Sequence, residues 1–245
     1  MPPRPLPAAV LFDLDDTLFA HRAAVAAGIR THMAAVGIEA SDPDAAVADW
    51  HRLEELHYHR YLAGELAFEG QRRARARDFA AAHGRTLGDE EAGAWFSDYF
   101  ERYRAAWQLH DDALPCLAAL RAARPDVRFG LITNGDLAFQ QRKVAQVGLD
   151  RVIDVVVASG DVGIVKPDAR IFHHACELLG VAPGEAAYVG DRLRTDAIGA
   201  AAAGLIGVWV NRRGVLPEPE DAAAASELGV VEVPDLVDLV GALSR

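Results

Sequence analysis

The segment Val10 to Phe19, VLFDLDDTLF, sets Asp13, Asp15 and Asp16 within four residues of a stretch otherwise apolar enough to be buried. Burying an unpaired carboxylate is costly, so such a cluster needs cations or has a chemical task. On an extended chain Asp13 and Asp15 share one face, while Asp16 points away and suits a turn. More polar residues follow later apolar runs: Thr133 and Asn134 after RFGLI, Lys166 in VKPD, Asp191 and Asp196 in GDRLRTD. Each alone has an ordinary alternative, such as a helix cap at Asp16-Thr17 or turn chemistry at Asn134-Gly135-Asp136. Together they comprise a nucleophile, a proton donor and acceptor, a seat for a hard cation, and a fixed positive charge for an anionic substrate.

The choice of Lys166 sharpens this. Lys143 and Lys166 are the two lysines of the chain, and the other 23 of its 25 basic residues are arginine. A compact ammonium suits a buried carboxylate and phosphate cluster in a way that a planar guanidinium fork does not.

These residues must be positioned by regular elements. Ala9 to Phe12 is a continuous apolar run, as expected of a parallel strand covered on both faces. Similar runs recur at 128–133, 152–158, 187–190 and 206–210, separated by helical patterns at 114–123, 138–147, 168–179 and 195–203. Gly148, Gly180 and Gly204 follow three of these helices where a C-terminal cap is wanted. Pro217 to Asp221 reads as a polar loop before a short last strand and helix. Alternating strands and helices predict an α/β fold with a Rossmann-like, doubly wound parallel sheet. In such sheets ligands bind at the carboxyl ends of the strands, which is where the polar residues fall.

Between the first two strands lie roughly 110 residues without a convincing strand, far beyond an ordinary connection. This segment reads as an inserted all-helical domain. Trp95, Phe96, Tyr99, Phe100, Tyr103 and Trp107 form an aromatic stripe at helical spacing, and Trp50, Leu53, His57 and Tyr61 repeat the pattern. Both stripes are expected to be packing between helices. The boundaries predicted are residues 1–19 and 110–245 for the α/β core and 20–109 for the helical insertion.

Composition narrows the function classes. The net charge of −11 argues against a nucleic-acid partner, which would need a basic stripe. No apolar run approaches the length needed to cross a membrane, and from the first residues no signal peptide is expected. Cys116 and Cys176 lack paired metal spacing and suit reduced thiols in a cytoplasmic protein.

The four ordered motifs closely resemble those of the haloacid dehalogenase superfamily of phosphohydrolases. Asp13-Leu-Asp-Asp-Thr17 matches its DxDxT, Thr133 its second motif, Lys166 its third, and Gly190 to Asp196 its GDxxxxD. The insertion matches only as a helical cap of the right position and size. The resemblance implies a Mg²⁺-dependent phosphomonoester hydrolase of a small phosphorylated metabolite. Asp13 would be the nucleophile that becomes an aspartyl-phosphate, and Asp15 the general acid and then base. Thr133, the Asn134 backbone N–H and Lys166 would hold the phosphoryl group. Mg²⁺ would sit on the carboxylate of Asp13, the main-chain carbonyl of Asp15 and Asp191. Thr17 and Asp196 would support these groups from behind. Mg²⁺ and Lys166 would then supply the charge that the opening carboxylates need.

Three alternatives stay open: phosphoryl transfer or mutase chemistry on sugar phosphates, 2-haloacid dehalogenation, and a non-catalytic binding module. Dehalogenation is disfavoured because a halide leaves unprotonated and gives Asp15 no task. Cap residues His57, Tyr58, His59, Tyr61 and the arginines of 72–77 are candidate substrate contacts, with packing and solvated surface as the favoured readings. Arg192 is expected to point to solvent.

Overall fold

The computed structural model describes residues 5–245, which divide into two compact units. One runs to Ala20 and resumes from Gln108 to Arg245; the other is His21–Trp107.

The first unit is built on a six-stranded parallel sheet: β1 (Ala9–Phe12), β2 (Arg128–Thr133), β3 (Val155–Ala158), β4 (Ala186–Gly190), β5 (Ile206–Val210) and β6 (Val231–Val233). The strand order β3-β2-β1-β4-β5-β6 is that of a doubly wound Rossmann-like sheet. β1 lies at the centre, where the winding reverses, and Phe12 is in register with Leu131 of β2 and Val189 of β4. Every residue of β1 and β4 is buried, which explains their continuous apolar runs.

The second unit is all helical: α1 (His21–Val36), α2 (Pro43–Leu62), α3 (Phe68–Ala82) and α4 (Asp89–Ala105). Its aromatic stripes pack on one another. Trp50 is fully buried, with ring centroids of Tyr99 at 4.6 Å, Phe79 at 5.1 Å and Trp95 at 5.4 Å. The arginines of α3 are engaged within this unit. Arg75 pairs with Glu54 at 2.8 Å and stacks over Trp50, and Arg73 and Arg77 both bind Asp89. His57 is buried against Asp78 at 2.8 Å.

In the first unit the remaining helices are α5 (Ala113–Ala123), α6 (Leu137–Gln146), α7 (Ser159–Val162), α8 (Ala169–Leu179), α9 (Gly199–Ala202), α10 (Pro219–Glu227) and α11 (Leu239–Leu243). Three elements of this unit differ from the sequence expectation or sharpen it. β3 starts at Val155 rather than Val152, because the Asp154 carboxylate takes the N–H of Phe129 at 2.7 Å and ends the ladder there. The helix expected over 195–203 is a π-helical turn, Leu193–Ile198, followed by α9. The expected loop at 217–221 becomes helix from Pro219, whose fixed φ suits the first position, with Glu220 and Asp221 in the favourable first turn. No helix among the described residues is long and apolar enough to cross a membrane.

Candidate active site

The carboxyl end of β1 carries the site. Asp13 follows the strand directly, its N–H donating to the Val189 carbonyl at 2.9 Å, so it extends the ladder against β4. The loop then turns sharply. Asp16 takes a left-handed φ of 62° and donates its N–H to the Phe19 carbonyl at 2.7 Å, in keeping with its expected turn role. Thr17 is fully buried; its carbonyl accepts from Arg212 Nη2 at 2.9 Å, and its hydroxyl has no hydrogen-bond partner among the described residues. Arg212 is itself clamped by both oxygens of Asp112, at 2.8 and 2.9 Å.

Lys166 ties the strand ends together. It is buried, and its ammonium donates to Asp13 Oδ1 at 2.6 Å, Asp196 Oδ1 at 2.8 Å and the Tyr188 hydroxyl at 2.8 Å. Three acceptors match the three protons of the ammonium. The Tyr188 hydroxyl in turn donates a hydrogen bond to the Ile132 carbonyl at 3.0 Å. The Lys166 backbone is fixed by Asn134, whose Oδ1 accepts from Lys166 N at 3.0 Å while its Nδ2 donates to Lys166 O at 3.3 Å. Thr133 is buried at the end of β2.

Asp196 is positioned by the π-helical turn. That turn lies close on the sheet because two glycines admit it. A Cβ on Gly190 would stand 2.5 Å from the Asp196 side chain, and one on Gly207 would stand 2.1 Å from the Ala197 carbonyl oxygen. Both Asp196 oxygens are engaged, Oδ1 by Lys166 and Oδ2 by the Arg192 N–H at 3.0 Å. The Arg192 side chain is exposed, and its charge counts among those that lower the pKa of Asp191.

The structure thus gathers Asp13, Asp191, Asp196 and Lys166. One carboxylate oxygen from each acid lies within 4.8 Å of the others. Burial raises the Asp13 carboxyl, Lys166 opposes this, and Asp196 adds to it, so that its pKa is pushed up to about 7. Burial, then the charges of Asp13 and Asp196, push Asp191 up to about 8. Burial alone would lower Lys166, but Asp13 and Asp196 outweigh it and hold the ammonium well above its ordinary range. The carboxylates therefore exceed the cations present, and an all-oxygen donor set of this kind fits a hard divalent ion. Asp13 and Asp191 are the candidates to hold it, since the Asp196 oxygens already accept hydrogen bonds.

Asp15 goes elsewhere. Its oxygens accept from Lys143 Nζ at 2.7 and 3.0 Å. Lys143, Tyr188 and Arg212 are the site residues to which sequence reasoning gave no role. The signal for Lys143 was the one used for Lys166, a lysine in a chain that writes its cations as arginine.

Comparison with known proteins agrees with this geometry. A family model described as haloacid dehalogenase-like hydrolase matches residues 7–204. Phosphoserine phosphatase of Thermus thermophilus is 38% identical over 155 residues, 63% of this chain and 61% of that protein, so the match spans under two thirds of that relative. Glyceraldehyde 3-phosphate phosphatase of Methanopyrus kandleri is 30% identical over 243 residues, 97% of this chain and 98% of that one. The crystal structure of the hydrolase YfnB from Bacillus subtilis, bound to magnesium, superposes with a TM-score of 0.77 over 98% of this chain and all of that one. At 20% identity this last likeness speaks for the fold alone. With the motif residues assembled on a sheet of this order, the chain belongs to the haloacid dehalogenase-like hydrolases, on the phosphatase and dehalogenase branch with an inserted helical cap.

Proposed function

We propose that the protein is a Mg²⁺-dependent phosphomonoester hydrolase working through an aspartyl-phosphate on Asp13. The observation that carries this reading is the Asp13 carboxylate itself. It is buried at the carboxyl end of the central strand, held by Lys166, and grouped with Asp191 and Asp196.

In this reading Asp13 attacks phosphorus in line, and the new P–O bond forms as the bond to the leaving oxygen breaks. Asp15 gives its proton to that oxygen, which departs as an alcohol. As a carboxylate, Asp15 then takes a proton from the water that attacks the phosphorus, releasing inorganic phosphate and free Asp13. Lys166 orients Asp13 and offsets charge on the phosphoryl oxygens, which Thr133 and the Asn134 N–H also bind. Asp196, with both oxygens engaged, steadies Lys166, and Thr17 belongs to the loop that carries Asp15. Asp13, the Asp15 main-chain carbonyl and Asp191 would hold Mg²⁺, which would supply positive charge to the phosphoryl group.

The substrate is a small phosphorylated metabolite. The phosphoserine and glyceraldehyde 3-phosphate phosphatases among the relatives support this class. The presence of Asp15 favours phosphate esters over haloacids, because an alkoxide must be protonated as it leaves and a halide need not be. A cytoplasmic location is supported by Cys116 and Cys176, which are buried and unpaired.

The test is release of p-nitrophenol from its phosphate ester by the purified protein, with Mg²⁺ or with excess EDTA, alongside Asp13→Asn. Turnover lost both in EDTA and in Asp13→Asn is expected. Undiminished turnover by Asp13→Asn would rule the reading out.

A further inference from the structure

We propose that Lys143 is a positioning residue for Asp15, aiming the carboxyl proton at the leaving oxygen. This inference rests on the phosphomonoesterase reading and adds a residue to it.

Lys143 lies on α6, 128 positions from Asp15 in the chain, and is 1% exposed. A buried ammonium is costly, and at a packed helix position an apolar side chain would stabilise the fold as well or better. Yet the chain places one of its two lysines here and gives its ammonium Asp15 as the partner, at 2.7 and 3.0 Å. The walls are aromatic: the ammonium stands 4.7 Å from the ring centroid of Phe19 and 5.2 Å from that of Phe139. Phe19 closes the loop that begins at Asp13, so the lysine is packed against the same loop that carries its partner. α6 is anchored at its N-terminus, after β2, by the Asp136 carboxylate accepting the Phe139 N–H at 2.8 Å.

The chemistry follows from what an ammonium can do. It donates only and accepts nothing. When Asp15 is ionised, both oxygens can face Lys143. When Asp15 carries the proton, Lys143 can be met only by the carbonyl oxygen, so the O–H is left to donate elsewhere. As the bond between phosphorus and the leaving oxygen breaks and that between phosphorus and Asp13 forms, this proton passes to the leaving oxygen and yields the alcohol. A neutral residue at position 143 would leave the carboxyl group without this constraint.

The experiment compares wild type, Lys143→Met and Asp15→Asn on 4-nitrophenyl, phenyl and 4-methoxyphenyl phosphate, three esters of similar shape and rising leaving-group basicity. The quantity read is kcat/KM, which reports transfer to Asp13. A 4-nitrophenolate leaves without help, whereas the other two need the proton. Lys143→Met should lose about threefold on the nitrophenyl ester and about 100-fold on the other two, at the low end of general acid catalysis. Asp15→Asn should show the same divergence. A parallel loss across the series, or none, overturns the role of Lys143 while leaving the hydrolase reading intact. Absence of Asp13-dependent turnover in the wild type removes both. Lys143→Cys in a Cys116→Ala, Cys176→Ala background, alkylated with 2-bromoethylamine in urea and then refolded, restores an ammonium at nearly the same reach. Recovery of phenyl phosphate turnover relative to the unalkylated refolded protein is expected, and a slope left unchanged by alkylation contradicts the proposal.

Discussion

Lys166 Nζ stands 2.6 Å from Asp13 Oδ1, joining the third motif of the chain to the first across 153 positions of sequence. Both groups are buried, and the same ammonium reaches Asp196 at 2.8 Å. The Asp13 carboxylate is therefore fixed before any substrate arrives, which is the form of preorganisation that the proposed nucleophilic role calls for.

Lys166→Met should leave two buried carboxylates without their cation. Breaking a buried pair from one side costs about 3–5 kcal/mol, so the melting temperature in EDTA should fall clearly at pH 8. It should recover in part as the pH is lowered, because Asp13, whose carboxyl burial already raises to about 7, can then be neutralised by a proton. Phosphate release should fall by about 100-fold or more. Thermal unfolding and p-nitrophenol assays on the same preparation check both expectations.

The metal-free protein should lose stability as pH rises. The folded carboxyls of Asp13 and Asp191 are raised from the ordinary 3.8 to about 7 and about 8. A folded group with a raised pKa holds its proton more tightly than the unfolded chain. Its contribution is complete below about pH 4 and is lost as the pH passes through 7 and 8. Melting temperatures in EDTA should decline across this window, and added Mg²⁺ should raise them more at pH 8 than at pH 6. Asp191→Asn should flatten the decline and weaken the response to Mg²⁺.

Gly190→Ala tests how the π-helical turn holds Asp196. The added methyl would stand 2.5 Å from the Asp196 Cβ, Cγ and Oδ2, and Asp196 is too deeply buried to swing aside. A loss of about 1–3 kcal/mol is expected, as for other overpacked positions, with activity down at least about tenfold as Asp196 leaves Lys166. Gly184→Ala is the control, since a Cβ there meets nothing within 4 Å. Urea unfolding and phosphatase assays separate the two variants.

How much of this was legible in the sequence depended on the range of the interaction that fixed each feature. β1 and β4 could be read because a strand buried on both faces writes a continuous apolar run. Lys166 stood out by residue type and by its place after a strand. Lys143 offered the same signal, but it sits within the regular pattern of α6 and its partner is 128 residues distant. Tyr188 was hidden for a related reason: in an apolar strand it reads as packing, and only the folded sheet brings its hydroxyl to Lys166 and the Ile132 carbonyl. The π-helical turn was not legible, since it depends on the close approaches that Gly190 and Gly207 permit. The insertion was plain as helices from its aromatic stripes, whereas the arginine run of α3 became intelligible only once Glu54 and Asp89 were seen beside it.

The proposed function requires a phosphoryl group bonded to Asp13, and trapping that species tests it most directly. The protein would be mixed with excess p-nitrophenyl phosphate and Mg²⁺, quenched in acid within milliseconds, and digested for peptide mass analysis. A phosphoryl adduct on the peptide bearing Asp13, absent in Asp13→Asn and absent in EDTA, is the expected result. Phosphate release at full rate with no adduct on Asp13, or with the adduct on another residue, would contradict it.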